Sequence, residues 1–254
     1  MQQLKLEEPL RKLSTPFYKK NNISVVSVKN PQKGFEIVSE VLSTVLDKKT
    51  VLFLSGGKTP KELYELLSKE QKLHPGAVAL VDERYGEKFH ENSNELMMRN
   101  AGLLTYLSRE NIQFYPILEK DKNLEQTAKD YDETLRYLFN YFQKSVAILG
   151  VGLDGHTAGL PASPSLWREK ITKESSSRLA VDYDDSEGFY NKRVTMTFPA
   201  LSMIDVLIVL VFGKDKKKAL KLMFSDGTVE EVPSRFLQQE DIAPKTLFIT
   251  DQKV

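Results

Sequence analysis

The stretch Gly150-Val151-Gly152-Leu153-Asp154-Gly155-His156-Thr157-Ala158-Gly159 sets an aspartate and a histidine two residues apart among glycines. Histidine is the side chain whose ordinary pKa, about 6.5, suits proton transfer near neutral pH. Glycine lets the backbone turn tightly and lets a ligand come close. The chemistry on offer is general acid–base catalysis, with His156 as base and Asp154 among the acceptors that orient it. The plainer alternative is a satisfied structural histidine; the glycine-rich setting after an apolar run favours the catalytic reading. Asp and His at this spacing also suit a divalent ion, but no third or fourth ligand is indicated, so no metal site is expected. His74 and His90 lie in polar turns without comparable surroundings.

Other segments could hold an anion. In Ser55-Gly56-Gly57-Lys58-Thr59-Pro60, Gly56 and Gly57 can aim backbone N–H groups at a phosphate, Ser55 and Thr59 add hydroxyls, and Pro60 sits where a helix would begin. The spacing is not that of a P-loop, and a plain glycine turn capped by Thr59 is the alternative. Asp82-Glu83-Arg84 reads as a strand-end loop with three charges, costly unless paired or placed in a cleft. Arg84 can grip an anion with its planar fork, although for this tripeptide alone a surface loop with local ion pairing is the favoured reading. Ser93 reads as the N-cap of the helix that Asn94 opens. Arg193 and the cluster Gly213-Lys214-Asp215-Lys216-Lys217-Lys218 supply further cations. That cluster follows a strand and opens a helix, which sets a lysine beside the sheet edge; Lys217 and Lys218 suit a solvated face.

The elements that must position these groups alternate. Apolar runs at Ile23–Val28, Val51–Ser55, Ala77–Val81, Ile112–Ile117, Ser145–Leu149, Arg193–Thr197, Val206–Phe212 and Thr246–Thr250 have strand length. Several are continuously apolar, as in strands covered on both faces. Between them, 34–46, 124–142 and 216–224 carry apolar residues at helical spacing. Strand–helix alternation predicts an α/β fold: a three-layer αβα sandwich on a mainly parallel, Rossmann-like sheet, in one domain spanning 1–254. Residues 163–190 read as a long polar excursion with one edge strand at 179–181, and a short helix is predicted near 234–239. In open α/β sheets ligands bind beyond the carboxyl ends of the strands, so each loop above follows a strand end.

Composition narrows the classes. The 254 residues are 41% hydrophobic and 28% charged, enough for a sizeable core under an ordinary surface. Lys+Arg 36 against Asp+Glu 35 leaves a net charge of +1, which recommends no nucleic-acid partner. With no cysteine there are no disulfides, thiolate metal sites or cysteine nucleophile. The first eight residues lack the apolar core of a signal peptide, and no window suits a membrane span. A cytoplasmic protein is expected.

In order, SGGKTP, DER with a following SN, GVGLDGHTAGLP, RVTMTFPAL and a strand ending in GKDK resemble the 6-phosphogluconolactonases, and more distantly the glucosamine-6-phosphate deaminases and isomerases on the same fold. The resemblance spans residues 30–250. It implies hydrolysis of a sugar-phosphate lactone without cofactor, with His156 as general base and Asp154 in the same pocket. It also implies that Ser55, Gly56, Gly57, Thr59, Arg193 and Lys216 serve the phosphate end, with Asp82, Arg84 and Asn94 in or near the site. Lys216 is preferred to Lys214 because the family spacing is Gly-x-x-Lys. The deaminases carry a glutamate five residues after the histidine; here that position is Pro161. The lactonases usually continue GHTASLFPG, whereas this chain has Gly159-Leu160-Pro161-Ala162-Ser163-Pro164. The expected partner is a small sugar phosphate, with no nucleic acid or membrane, bound by a monomer or weak homodimer.

Overall fold

A computed structural model describes residues 7–185 and 191–254. Two expectations from sequence, the character of the extreme N-terminus and the last residues of the 163–190 excursion, fall outside them.

The strands are β1 (Tyr18–Lys20), β2 (Ile23–Ser27), β3 (Thr50–Leu54), β4 (Ala77–Leu80), β5 (Asp82–Arg84), β6 (Gln113–Tyr115), β7 (Lys144–Gly150), β8 (Ala180–Asp184), β9 (Lys192–Met196), β10 (Val206–Val211) and β11 (Thr246–Thr250). The helices are α1 (Glu7–Lys12), α2 (Pro31–Val45), α3 (Lys58–Glu70), α4 (Asn94–Asn100), α5 (Leu103–Arg109), α6 (Leu124–Tyr141), α7 (Pro164–Leu166), α8 (Thr172–Ser175), α9 (Phe198–Ser202) and α10 (Lys217–Met223). A π turn at Trp167–Ile171 joins α7 to α8.

The main sheet has eight strands in the order β1-β2-β11-β10-β7-β3-β4-β6. All its pairs are parallel except β1 with β2. β3, β10 and β11 are buried throughout, as strands covered on both faces must be. Right-handed crossovers put the helices that precede moves in opposite directions on opposite faces, so the sheet is the middle of three layers. α2 buries Phe35, Val38, Val41 and Leu42 on one face, and its N-cap Asn30 accepts the Lys33 amide at 2.9 Å. α6 opens on a capping box between Asn123 and Gln126.

The chain runs outward from β3 to β4 and β6, then returns to β7 beside β3 and continues through β10 to β11. The direction reverses between β3 and β7. A crevice opens at such a reversal, outside the carboxyl ends of the strands. In register order, the carboxyl ends of β4, β3, β7 and β10 lead into Asp82, Ser55, Val151 and Phe212. All four chemistry-bearing segments therefore share one edge.

The structure corrects several sequence expectations. Asp82–Arg84 is not a loop but strand β5, which pairs antiparallel with β9; with β8 these form a second, three-stranded sheet. Arg193–Thr197 accordingly joins that sheet and not the parallel one. α3 begins at Lys58, two residues before Pro60, because Gly57 takes φ 112 as its N-cap; Thr59 lies in the first turn and is no cap. The excursion after 163 is largely helical, and its strand is longer than expected, at Ala180–Asp184. The short helix near 234–239 is a 3-10 turn at Pro233–Gln238.

Candidate active site

β7 ends at Gly150 and releases the loop 151–161. Gly155 takes φ 91, which folds the chain back so that Asp154 and His156 meet. The His156 Nδ1–H donates to Asp154 Oδ1 at 2.6 Å, and the His156 amide donates to the same oxygen at 3.1 Å. With Nδ1 bound, the lone pair of the neutral ring lies on Nε2. Nε2 has no protein partner among the described residues. The ring lies over Gly152, where a Cβ would come within 2.1 Å of it. The side chain is 48% exposed, so a substrate can reach it. Partial burial raises the Asp154 pKa, but the hydrogen bonds from His156 and the imidazole charge outweigh it and hold the carboxyl at about 2.

The loop is tied down along its length. Thr157 donates its hydroxyl to Gly150 O at 2.8 Å, and Lys216 Nζ donates to Val151 O at 2.7 Å. The Ser234 amide donates to Gly155 O at 2.9 Å. Thr195 and Tyr183 donate hydroxyls to the carbonyls of Ala158 and Gly159. Ala158 has φ 54, a strained conformation for a residue with a Cβ, held by the groups around it. Trp167 Nε1 donates to Pro161 O at 2.8 Å, from a stacked column of Trp167, Phe198 and Phe236. This fixes the tail in which the sequence departs from the usual lactonase pattern.

The small sheet supplies the other wall. Alternation puts Asp82, Arg84, Arg193, Thr195 and Tyr183 on the face toward the loop and Glu83 on the far face. Arg193 pairs with Asp82 at 3.5 Å, and Asp82 lies against Gly159 with no room for a Cβ between them. Arg84 donates to Asn94 Oδ1 at 3.0 Å, and Asn94 Nδ2 donates to Asp82 O at 2.8 Å. Asn94 rests on Gly56, where a Cβ would stand 1.8 Å from Oδ1. The turn 55–59, the two arginines and the His156 loop are thus one continuous body.

The turn itself is unsatisfied. The Ser55 hydroxyl is buried without a partner among the described residues, and the amides of Gly56, Gly57, Lys58 and Thr59 donate to no protein acceptor there. Free amides at the start of α3, a spare hydroxyl and two nearby guanidinium groups form an anion-binding concavity. Of the residues expected at the site, Gly56, Asn94, Arg84, Asp82 and Arg193 are linked by these contacts, Ser55, Gly57 and Thr59 flank Gly56 in the turn, Asp154 and His156 join through their loop at Gly159, and Lys216 bonds that loop at Val151 O.

Sequence reading missed several groups. Tyr183 and Thr195 are legible only as members of two-residue alternations whose partner strands are distant in sequence. Glu83 accepts amides of Arg84 and Asn94 at 2.7 and 2.8 Å and of Glu95 at 2.9 Å. Burial pushes its pKa up to about 7 against the pull of those amides. His90, set aside on sequence, bonds Arg84 O through Nε2 at 2.9 Å. Ser93 is the N-cap of α4 as expected, accepting the Leu96 amide at 3.0 Å.

The family described as glucosamine-6-phosphate isomerases/6-phosphogluconolactonase matches residues 32–247. A 6-phosphogluconolactonase of Nostoc sp. is 32% identical over 82% of this chain and 86% of its own length. One from Synechocystis sp. is 31% identical over 79% and 81%. Among solved structures, a Plasmodium vivax 6-phosphogluconolactonase superposes with TM-score 0.77 at 20% identity, covering 98% of this chain and 96% of its own. One from Shewanella baltica superposes with TM-score 0.75 at 22% identity, covering 92% and 100%. The order of the strand-end loops and these matches agree, and the chain belongs to the glucosamine-6-phosphate isomerase/6-phosphogluconolactonase family.

Proposed function

We propose that this chain is an enzyme that hydrolyses 6-phospho-D-glucono-1,5-lactone to 6-phospho-D-gluconate, the second step of the oxidative pentose phosphate route. The relatives named 6-phosphogluconolactonase support the reaction class. The observation that carries the reading is the pairing of Asp154 with His156 at 2.6 Å, which leaves Nε2 without a protein partner among the described residues, on a loop that abuts Asp82 and, through Asn94, the 55–59 turn.

Neutral His156 takes a proton from water as its oxygen attacks the lactone carbonyl carbon. The tetrahedral intermediate carries the charge on the former carbonyl oxygen. Its collapse breaks the bond to the ring oxygen, and the imidazolium returns its proton there. Asp154 keeps Nδ1 protonated and stabilises the imidazolium. Such assistance is worth about 10²–10⁴-fold. Ser55, the amides from Gly56 to Thr59, Arg84 and Arg193 hold the phosphate; Asp82 and Asn94 set the arginines, and Lys216 braces the His156 loop beside them. Phosphate binding away from the reacting carbon supplies orientation.

Position 161 disfavours the isomerase or deaminase reading, because a buried proline stands where that chemistry uses a carboxylate. A sugar-phosphate sensor is disfavoured by the intact Asp154–His156 pair. No helix among the described residues is long and apolar enough to cross a membrane. A cytoplasmic, single-domain enzyme fits that observation and the lack of cysteine. The test is hydrolysis of freshly generated lactone, followed against its spontaneous opening, beside ammonia release from glucosamine 6-phosphate. Turnover of the lactone alone is expected. Ammonia release without lactone turnover, or lactone binding without turnover, overturns the reading.

A further inference from the structure

Glu83 is fully buried on the face of β5 that points away from the cleft, so it touches no substrate. Its carboxylate nonetheless holds three amides at the place where β5 meets α4. Oε1 accepts the Arg84 amide at 2.7 Å and the Asn94 amide at 2.8 Å; Oε2 accepts the Glu95 amide at 2.9 Å. The two residues gripped through Oε1 are those whose side chains turn forward. Asn94 reaches Arg84, Asp82 O and the Cα of Gly56 with no space to spare. A shift of α4 and the loop before it against β5 therefore moves Asn94 off Gly56 and frees the Arg84 guanidinium, which also donates to Asn92 O at 3.0 Å. Among neighbouring charged groups, Asp82 on its own strand acts on the carboxylate, and Glu95, whose amide it accepts, pairs with Lys88 at 3.3 Å. Among the described residues its hydrogen bonds all run to backbone amides, which fixes position and not charge balance.

We propose that Glu83 is a positioning residue for the phosphate end of the site, locking Asn94 and Arg84 against the Gly56 turn so that its loss weakens anion binding without slowing the step at His156. This rests on the reading of the 55–59 turn, Arg84 and Arg193 as the phosphate end.

The test compares Glu83→Met, which keeps the volume and loses all three acceptors, with Glu83→Gln, which keeps the shared Oε1. The readouts are kcat and KM for the lactone, inhibition by inorganic sulfate, and a thermal melt. In Glu83→Met, KM and the sulfate inhibition constant rise about 10-fold or more, the scale of one lost brace, while kcat stays within about threefold. Glu83→Gln keeps the shared acceptor but sets its NH₂ against the Glu95 amide, so it shows a smaller, measurable rise of about threefold. Because Glu83 acts through Asn94, Glu83→Gln adds nothing to sulfate weakening in an Asn94→Ala background. This mild cycle decides the matter if Glu83→Met does not fold. Additive effects in the cycle, an unchanged sulfate constant in folded Glu83→Met, or a kcat that falls as far as kcat/KM each overturn the proposal. Arg84→Ala separates the underlying reading: if it leaves sulfate inhibition unchanged, the phosphate end itself is misplaced. If Arg84→Ala weakens sulfate and the Glu83 variants do not, the reading stands and the Glu83 role falls.

Discussion

Arg84 and Arg193 stand directly opposite each other in the β5–β9 pair, with their side chains on the face turned to the His156 loop. Like charges in register across two strands repel, and one carboxylate, Asp82, lies beside them at 3.5 Å from Arg193. A dianion between them relieves the repulsion. Arg193→Ala is expected to raise KM about 10- to 100-fold, the scale of a lost charge-assisted contact, with a smaller change in kcat. Steady-state kinetics at fixed ionic strength check this; an unchanged KM removes Arg193 from the phosphate end.

His156→Ala should fold and lose at least about 10²-fold in kcat, since the positioned base is gone. Asp154→Asn should lose less, because the ring stays in place without its anionic partner. Near wild-type turnover of His156→Ala would end the base assignment.

The two groups also differ in how they answer acid. Asp154 stays ionised down to about pH 2. Log kcat, read at saturating lactone so that titration of the free substrate's phosphate does not enter, should therefore fall on acidification with a slope of about one down to roughly pH 3, one proton being taken up by the enzyme–substrate complex. A slope of two in that range would show Asp154 titrating with the imidazole.

For Glu83 the sign runs toward alkali. Burial lifts its pKa from 4.5 to about 7, so the folded chain keeps a proton that the unfolded chain releases. Its contribution is complete below about pH 4.5 and is lost as pH rises through about 7, at most about 3 kcal/mol. Glu95 is shifted upward by burial as well. Urea midpoints should fall from pH 5 to pH 8, and Glu83→Gln should flatten that fall. Identical pH dependence in the two proteins would contradict it.

Gly159→Ala tests the contact between the two walls. Gly159 has φ 69, and a Cβ there would lie 2.6 Å from the Asp82 carboxylate. The substitution should cost about 2 kcal/mol or more from the backbone alone and displace Asp82 from Arg193. A combined drop in melting temperature and rise in KM is expected; a silent substitution would mean that Asp82 moves freely.

The parallel sheet was legible because β3, β7, β10 and β11 are unbroken apolar runs, and the His156 loop because its glycines and its Asp-x-His spacing are local. The small sheet was not. Its strands pair residue 82 with 195 and 181 with 195, and a three-residue run of charges gives no apolar signal of a strand. Only the three amides on Glu83 and the ion pair at Asp82 make Asp82–Arg84 habitable as one. Gly57 misled the helix start for a related reason: a positive φ caps α3 without a side chain, so Pro60 read as a first residue when it is the third. Tyr183 and Thr195 act through hydroxyls on carbonyls 24 and 37 residues away, a distance at which no local pattern speaks.

Those long spans bear on the order in which the molecule is made. Asp82 apart, the glycine loop is emitted before the distant groups that tie it down: Trp167, then Tyr183, Thr195, Lys216 and finally the Ser234 amide. A nascent chain that has completed the loop already carries His156 and its local partner Asp154, yet lacks these ties. A chain cut short of its last quarter would keep His156 and Asp154 and lose the bonds from Thr195, Lys216 and Ser234 that hold their loop.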